Sequence, residues 1–251
     1  MAKVFSKGKI PKRIMKGYVN YNLNDDHVLR KTSGFTSEGM QTDPKYARSR
    51  DNASDFGAVT RLCKVIRIGL NEVLPRSNNL AVCNGLTTVM GKVMCCDAIA
   101  ERGKRSLKNG FATEGGRALF TGYDLNPDGL FRNTFKGNYR FDAERSLLII
   151  DSFDTAAAFV FPEGANCVGL RMGALRFDFD TSNSFFKLTD WSLFCFESKI
   201  TEAIQLGFDV IPDGEGVVFF ILEISFFVEN AGSYVPFATD GGKVVCVIGV
   251  V

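Results

Sequence analysis

The spacing of apolar residues predicts helices in the first half of the chain. Between residues 54 and 74, apolar side chains recur every three or four positions, which is typical of one face of an amphipathic helix. Asp43 and Pro44 form a good helix start upstream, because Asp caps free amides and Pro fits the first helical turn. A second helix is expected over 86–102, with Gly103 at its C-terminal end.

The residues before these helices alternate between polar and apolar types. Residues 17–23 have the pattern of a strand, Asn24-Asp25-Asp26 supplies a turn, and residues 27–30 fit a returning strand. We therefore expect a small N-terminal hairpin. The single histidine, His27, is expected to be an exposed residue at this turn.

Beyond residue 110 the pattern becomes that of short strands, and 20 of the 23 Phe residues lie there. Polar turns such as Pro212-Asp213-Gly214 separate several apolar segments, as in an antiparallel sandwich. The expected strand segments are 139–153, 156–161, 167–179, 185–197, 204–211, 217–229 and 243–251. The predicted fold class is α+β: a small N-terminal hairpin and a two-helix region, followed by an antiparallel β-sandwich.

In that sandwich, large apolar residues should mostly be buried or lie at a subunit contact. The residues expected in such positions are Phe177, Phe179, Trp191, Phe194, Phe196, Phe219 and Ile221. Since neighbours in an alternating strand point to opposite faces, not all of them can fill the same core.

Charge is strongly divided along the chain, although the net charge is only +2. Residues 1–140 contain 24 Lys and Arg against 12 Asp and Glu, a net +12, whereas residues 141–251 contain 6 against 16, a net −10. The sequence thus predicts a basic hairpin and helical domain, 1–110, and an acidic, Phe-rich sandwich domain, 111–251.

The charge division has three explanations: contact between the two halves of one molecule, an anionic partner such as nucleic acid, and head-to-tail association of copies. In the last two cases clustered basic residues would make the contact, with phosphates or with the acidic half of a neighbour. The candidates are Lys7, Lys9, Lys12, Arg13, Lys16, Arg48, Arg50, Arg102, Lys104 and Arg105.

Seven cysteines are present, most of them in apolar runs and without a C-x-x-C motif. This pattern favours small buried hydrophobes in a reducing compartment. The basic N-terminus lacks the apolar segment of a standard secretory signal, so cytoplasmic synthesis is expected. The longest apolar run, 217–228, contains Glu223 and is too short to span a membrane, so a buried strand is expected there.

The sequence offers little for catalysis. One histidine cannot provide a typical catalytic zinc site, and neither a G-x-S-x-G elbow nor a phosphate-binding P-loop is present. Residues 178–189 begin like a calcium loop but lack its Gly and Glu, and the carboxylates Asp151 and Asp154 resemble other acidic turn residues. We expect no enzyme, no cofactor and no metal.

Two segments are distinctive: Lys45 to Ala58, which includes Arg-Ser-Arg-Asp-Asn-Ala-Ser-Asp-Phe, and Glu101-Arg102-Gly103-Lys104-Arg105. Together with residues 28–34, they resemble an uncharacterised family of about this length from Bacteroidota-type bacteria, over roughly residues 17–105. The resemblance implies a bacterial origin and carries no activity or functional residue to this chain.

These observations lead to one functional expectation and two alternatives. The expected function is that of a structural, self-associating protein, such as the repeating subunit of a filament, sheath or shell, formed by basic-to-acidic contacts between copies. One alternative is a nucleic-acid-associated protein that uses its basic half. The other is a binding or adhesin-like module with the sandwich as its scaffold.

Overall fold

A computed structural model describes residues 3–5, 17–23, 26–31, 36–75, 79–196, 200–237 and 242–251. The chain divides into two compact units, Met1–Arg50 and Asp51–Val251. The strands and helices are β1 Lys3–Phe5, β2 Tyr18–Leu23, β3 Asp26–Lys31, α1 Ser37–Thr42, α2 Ala47–Gly69, α3 Asn79–Cys95, α4 Leu107–Ala112, α5 Glu114–Phe120, α6 Phe131–Thr134, β4 Tyr139–Asp142, β5 Leu147–Ile150, β6 Phe153–Asp154, α7 Thr155–Ala158, β7 Cys167–Phe177, β8 Ser184–Leu188, β9 Ser192–Cys195, β10 Ile200–Thr201, β11 Ile204–Gly207, β12 Val217–Asn230, β13 Ser233–Pro236 and β14 Lys243–Val250.

The N-terminal unit contains the predicted hairpin. Strands β2 and β3 pair antiparallel, and β1 adds to the other edge of β3. His27 lies within β3 and is partly buried, so its placement at an exposed turn was wrong. Residues 24 and 25 of the expected turn lie outside the described residues.

Helix α1 precedes Asp43, and Asp43 begins the next helical segment as predicted. Its side chain accepts a hydrogen bond from the amide of Lys45, and Pro44 begins a short 3₁₀ turn that leads into α2. Helix α2 therefore begins earlier than predicted and ends at Gly69. Helix α3 is likewise shifted towards the N-terminus and ends at Cys95, well before Gly103.

The long strands β7 and β12 form the centre of the second unit. They pair antiparallel over eleven residues, from Cys167 opposite Phe227 to Phe177 opposite Val217. Strands β8 and β9 share the outer edge of β7, while β14 and β13 share the outer edge of β12. The result is an antiparallel sheet with two continuous strands in the middle.

Each face of this sheet has its own apolar core. Odd-numbered residues of β7 and β12, such as Phe177 and Phe219, pack with α2–α5. Even-numbered residues, such as Phe220 and Leu222, pack with β5 and β11 of a second sheet, ordered β11-β5-β4. The α+β prediction is confirmed, with the two sheets as the sandwich layers. The helices of 47–120 share a core with the central sheet, so residue 110 lies inside this unit.

Part of the expected strand at 156–161 is instead helix α7. The side chain of Asp154 caps this helix by accepting a hydrogen bond from the amide of Ala156. Alanines then continue the helical turn, for which Ala has the highest propensity.

The cysteine expectation needs one correction. Cys167 and Cys195 are register partners on β7 and β9 and form a disulfide, whereas the sequence favoured reduced, buried cysteines. Cys63 and Cys246 are free and buried, as expected. Burial raises the pKa of the Cys63 thiol to about 11, so this thiol stays protonated at neutral pH.

Candidate functional site

The structure places the predicted basic candidates in different settings. Lys7, Lys9, Lys12, Arg13 and Lys16 lie outside the described residues. Arg48 is exposed on α2. The Arg50 guanidinium donates hydrogen bonds to the carbonyl oxygens of Met40 and Asp43, both at 3.0 Å. Arg50 therefore fixes the turn before α2, while Arg48 remains available to a partner.

The second basic cluster, Arg102, Lys104 and Arg105, lies on the loop between α3 and α4. Asp97 organises this loop from its buried position. Its Oδ1 accepts hydrogen bonds from the amides of Ile99 and Ala100, and its Oδ2 accepts from the amide of Ser106 and the Asn109 side chain, all at 3.0–3.1 Å. A single carboxylate thus replaces the helical hydrogen bonds that would have extended α3.

This environment also fixes the charge of Asp97. Burial alone would raise the pKa of its carboxyl group, but the three amide hydrogen bonds and that from Asn109 lower the pKa to about 2. Asp97 is therefore ionised at neutral pH, and its negative charge lies beneath a loop that carries three basic side chains.

The loop contacts α2, which brings the two distinctive sequence segments together. The Ser54 hydroxyl donates to the carbonyl oxygen of Gly103 at 2.8 Å. A cavity of about 270 Å³ lies beside this contact. Its lining includes Asn52, Asp55, Phe56, Cys95, Arg102 and Arg105.

Two polar atoms in this cavity lining have unused hydrogen-bonding capacity. Asp55 Oδ1 and Arg105 Nε are both buried and lack a hydrogen-bond partner among the described residues. Buried polar atoms of this kind ordinarily bind water or a ligand. The loop is therefore a candidate partner contact in which Arg102 and Arg105, but not Lys104, line a cavity.

A larger cavity, of about 740 Å³, lies against the central sheet. Glu223 on β12 forms ion pairs there with Arg171 on β7, at 2.7 Å, and with Lys243 on β14, at 2.9 Å. Trp191 lies beside them, with the Arg171 guanidinium carbon 4.3 Å from its ring centroid. Reasoning from the sequence did not identify this cluster, although Glu223 was visible as the one acidic residue within the run 217–228.

Neither a metal site nor a membrane-spanning helix appears in the part of the chain that the structure describes. No three His, Cys, Asp or Glu side chains are grouped there so as to hold a metal ion. None of the helices in those ranges is long and apolar enough to cross a bilayer.

Comparison with known proteins gives no match to this chain among family models, curated proteins or solved structures. The resemblance to a Bacteroidota-type family therefore stays a prediction.

Proposed function

We propose that this protein is a structural subunit that self-associates through its N-terminal unit. The observation that carries the proposal is the scarcity of buried side chains in that unit. Among the described residues of Met1–Arg50, only Val28 is buried. Small sheets need an apolar face packed against something else to be stable, so this unit is expected to gain burial from a partner.

The apolar face of the hairpin supports such a contact. Tyr21 lies directly opposite Val28, and Val19 is two residues away on the same face. Val19 and Tyr21 are each 39% exposed. Arg30, opposite Val19, has its guanidinium carbon 5.6 Å from the Tyr21 ring centroid. This face combines apolar area with a positive charge, as protein interfaces often do.

The division of charge between the two units supports a second copy of this chain as the partner of the N-terminal unit. Met1–Arg50 contains 11 Lys and Arg against 4 Asp and Glu, a net +7, and the remaining residues contain 19 against 24, a net −5. A basic unit on one copy and an acidic surface on the next make a head-to-tail contact, which continues into rings or filaments. Opposite charges also accelerate and orient the encounter between copies.

The test is the mass of the full chain in solution, by light scattering coupled to size exclusion. We expect assemblies that form more slowly in 1 M salt than in 0.1 M salt, because the reach of exposed charges falls from about 10 Å to about 3 Å. Val19→Ser with Tyr21→Ser should give monomers. The matched control is Tyr234→Ser with Val235→Ser, which changes a similar exposed pair on β13 and should leave assembly intact.

The nucleic-acid alternative predicts a different result. It requires a monomer that binds DNA or RNA with a steep dependence on salt. A wild-type chain that stays monomeric at every salt and protein concentration would overturn the assembly proposal. Equal loss of assembly in both double variants would also contradict the role given to the hairpin face.

A further inference from the structure

The helix-facing side of the central sheet changes character along β12. Phe219 and Ile221 belong to the core beneath the helices, whereas Glu223 and Ser225 continue the same side of the strand with polar groups. Helix α2 ends at Gly69, and the residues that follow it form one wall of the 740 Å³ cavity. This volume is in the range of small-molecule binding sites.

Glu223 fixes two cationic side chains at the base of the cavity. It is almost fully buried, with a side chain 2% exposed, while those of Arg171 and Lys243 are 15% and 25% exposed. Its Oε2 accepts from Arg171 Nε, and its Oε1 lies 2.9 Å from Lys243 Nζ. The buried carboxylate of Glu223 faces two cations, so these three groups carry one positive charge. The carboxylate of Glu72, 3.7 Å from Arg171, offsets that charge only in part, because its side chain is exposed and solvent screens it.

Both cations keep donors that Glu223 does not use. Arg171 uses Nε for Glu223. Among the residues that the structure describes, its Nη1 has only the approach of Glu72 at 3.7 Å, which is too long for a hydrogen bond. An ammonium group has three N–H donors, and the contact with Glu223 occupies one in Lys243. A ligand at this position should therefore supply acceptor atoms and negative charge.

Aromatic side chains complete the site. The Arg171 guanidinium stacks on Trp191, and the Trp191 ring meets Phe227 edge to face at 5.4 Å. Stacking limits the rotation of the guanidinium and so prepares it for binding. Phe227 and Phe237 also line the cavity and offer apolar surface to the rest of a ligand.

We propose that this cavity binds a small organic monocarboxylate with an aromatic or apolar body. The Nη atoms of Arg171 would hold the carboxylate in the paired geometry that guanidinium favours, and Lys243 would donate a further hydrogen bond. An excess of at most one positive charge matches a monoanion. A phosphate dianion fits less well, because the carboxylates of Glu72 and Glu223 are both close to Arg171.

Trp191 is the one tryptophan in the sequence, so its fluorescence reports this site directly. The experiment titrates the full-length protein with phenylacetate, and in parallel with the uncharged phenylacetamide and with phenyl phosphate. We expect a saturable change with phenylacetate and affinity at least about tenfold weaker for the amide, because a charged hydrogen bond is lost. Equal affinity for acid and amide, tighter binding of the phosphate or an unsaturable response would each overturn the proposal.

Variants test the assigned contacts. Lys243→Gln should weaken phenylacetate binding by about tenfold, whereas the control Lys92→Gln, on the exposed surface of α3, should not change it. Arg171→Lys keeps the charge but removes the planar fork, and should also weaken binding. Thermal melts establish that each variant is folded. Folded Lys243→Gln and Arg171→Lys proteins with wild-type affinity would contradict the assignment, and the acid-to-amide comparison on the wild type holds even if a variant fails to fold.

Discussion

Arg171 and Glu223 are register partners on the two central strands, and Arg171 Nε lies 2.7 Å from Glu223 Oε2. Replacing Glu223 with Gln leaves the cations of Arg171 and Lys243 without their buried counter-charge. Breaking a buried ion pair from one side typically costs about 3–5 kcal/mol, and partial exposure of both cations places the expected loss near 3 kcal/mol. Urea unfolding of the wild type and of Glu223→Gln measures this loss in the free energy of unfolding.

The control for this prediction is Glu202→Gln, because Glu202 is exposed. Its effect should lie within about 0.5 kcal/mol of zero, as for most surface substitutions. Similar free energies of unfolding for the two variants would mean that the Arg171–Glu223–Lys243 cluster contributes nothing measurable to stability.

Asp97 should make the protein sensitive to acid. Its pKa is lowered to about 2 in the folded state, so its ionised form stabilises the fold above the ordinary carboxyl range, and this contribution is lost as the pH falls from about 4 to about 2. Over that window the free energy of unfolding should fall more steeply for the wild type than for Asp97→Asn. Asp151→Asn, at an exposed carboxylate, should keep the wild-type slope. Equal slopes for all three proteins would refute the role given to Asp97.

Two glycines in neighbouring helices form a matched pair. A Cβ at Gly110 would clash with the carbonyl oxygen of Val93, whereas a Cβ at Gly115 would meet no atom within 4 Å. Gly110→Ala should therefore destabilise the protein by about 1–3 kcal/mol, the typical cost of overpacking. Gly115→Ala should stabilise it by up to about 1 kcal/mol, since Ala favours helix. Thermal and urea unfolding measure the stability of both variants. A Gly110→Ala variant as stable as the wild type would show that α3 and α4 pack less closely than described.

The Cys167–Cys195 disulfide should stabilise the oxidised protein by about 2–4 kcal/mol, because it closes a loop across 28 residues. A reductant should lower the free energy of unfolding of the wild type but not that of the Cys167→Ala, Cys195→Ala double variant. Peptide mapping without reductant should recover the two cysteines in one linked fragment. Recovery of both as free thiols under oxidising conditions would exclude the bond.

Sequence patterns predicted the helices and strands that depend on residues close together along the chain. Alternation identified β2, an apolar segment bounded by turns identified β7, and Asp43-Pro44 identified a helix start. The end of α3 was missed because Asp97 binds amides up to nine residues ahead, a contact that helical spacing does not reveal. Ile99 lies within the predicted helix 86–102 but is 86% exposed in the loop.

Aromatic burial was predictable only in part, for a related reason. Phe177, Phe219 and Ile221 are fully buried as expected, but Phe196 is half exposed just after β9. Alternation along a strand assigns its residues to the two faces of the sheet. It does not show which face another layer covers, or where along the strand that layer ends. The charged cluster shows the same limit, because Arg171 and Glu223 are 52 residues apart and meet only through the register of β7 and β12.

The continuity of β12 has a practical consequence for protein engineering. Phe219 and Ile221 pack against the helices, while Glu223 and Ser225, on the same strand and the same side, line the 740 Å³ cavity. Substitutions at Ser225 can therefore change the chemistry of the cavity while Phe219, Ile221 and the ion pairs of Glu223 keep the scaffold intact. Strand β12 is therefore a starting point for libraries that vary binding at the cavity without changing the residues that maintain the fold.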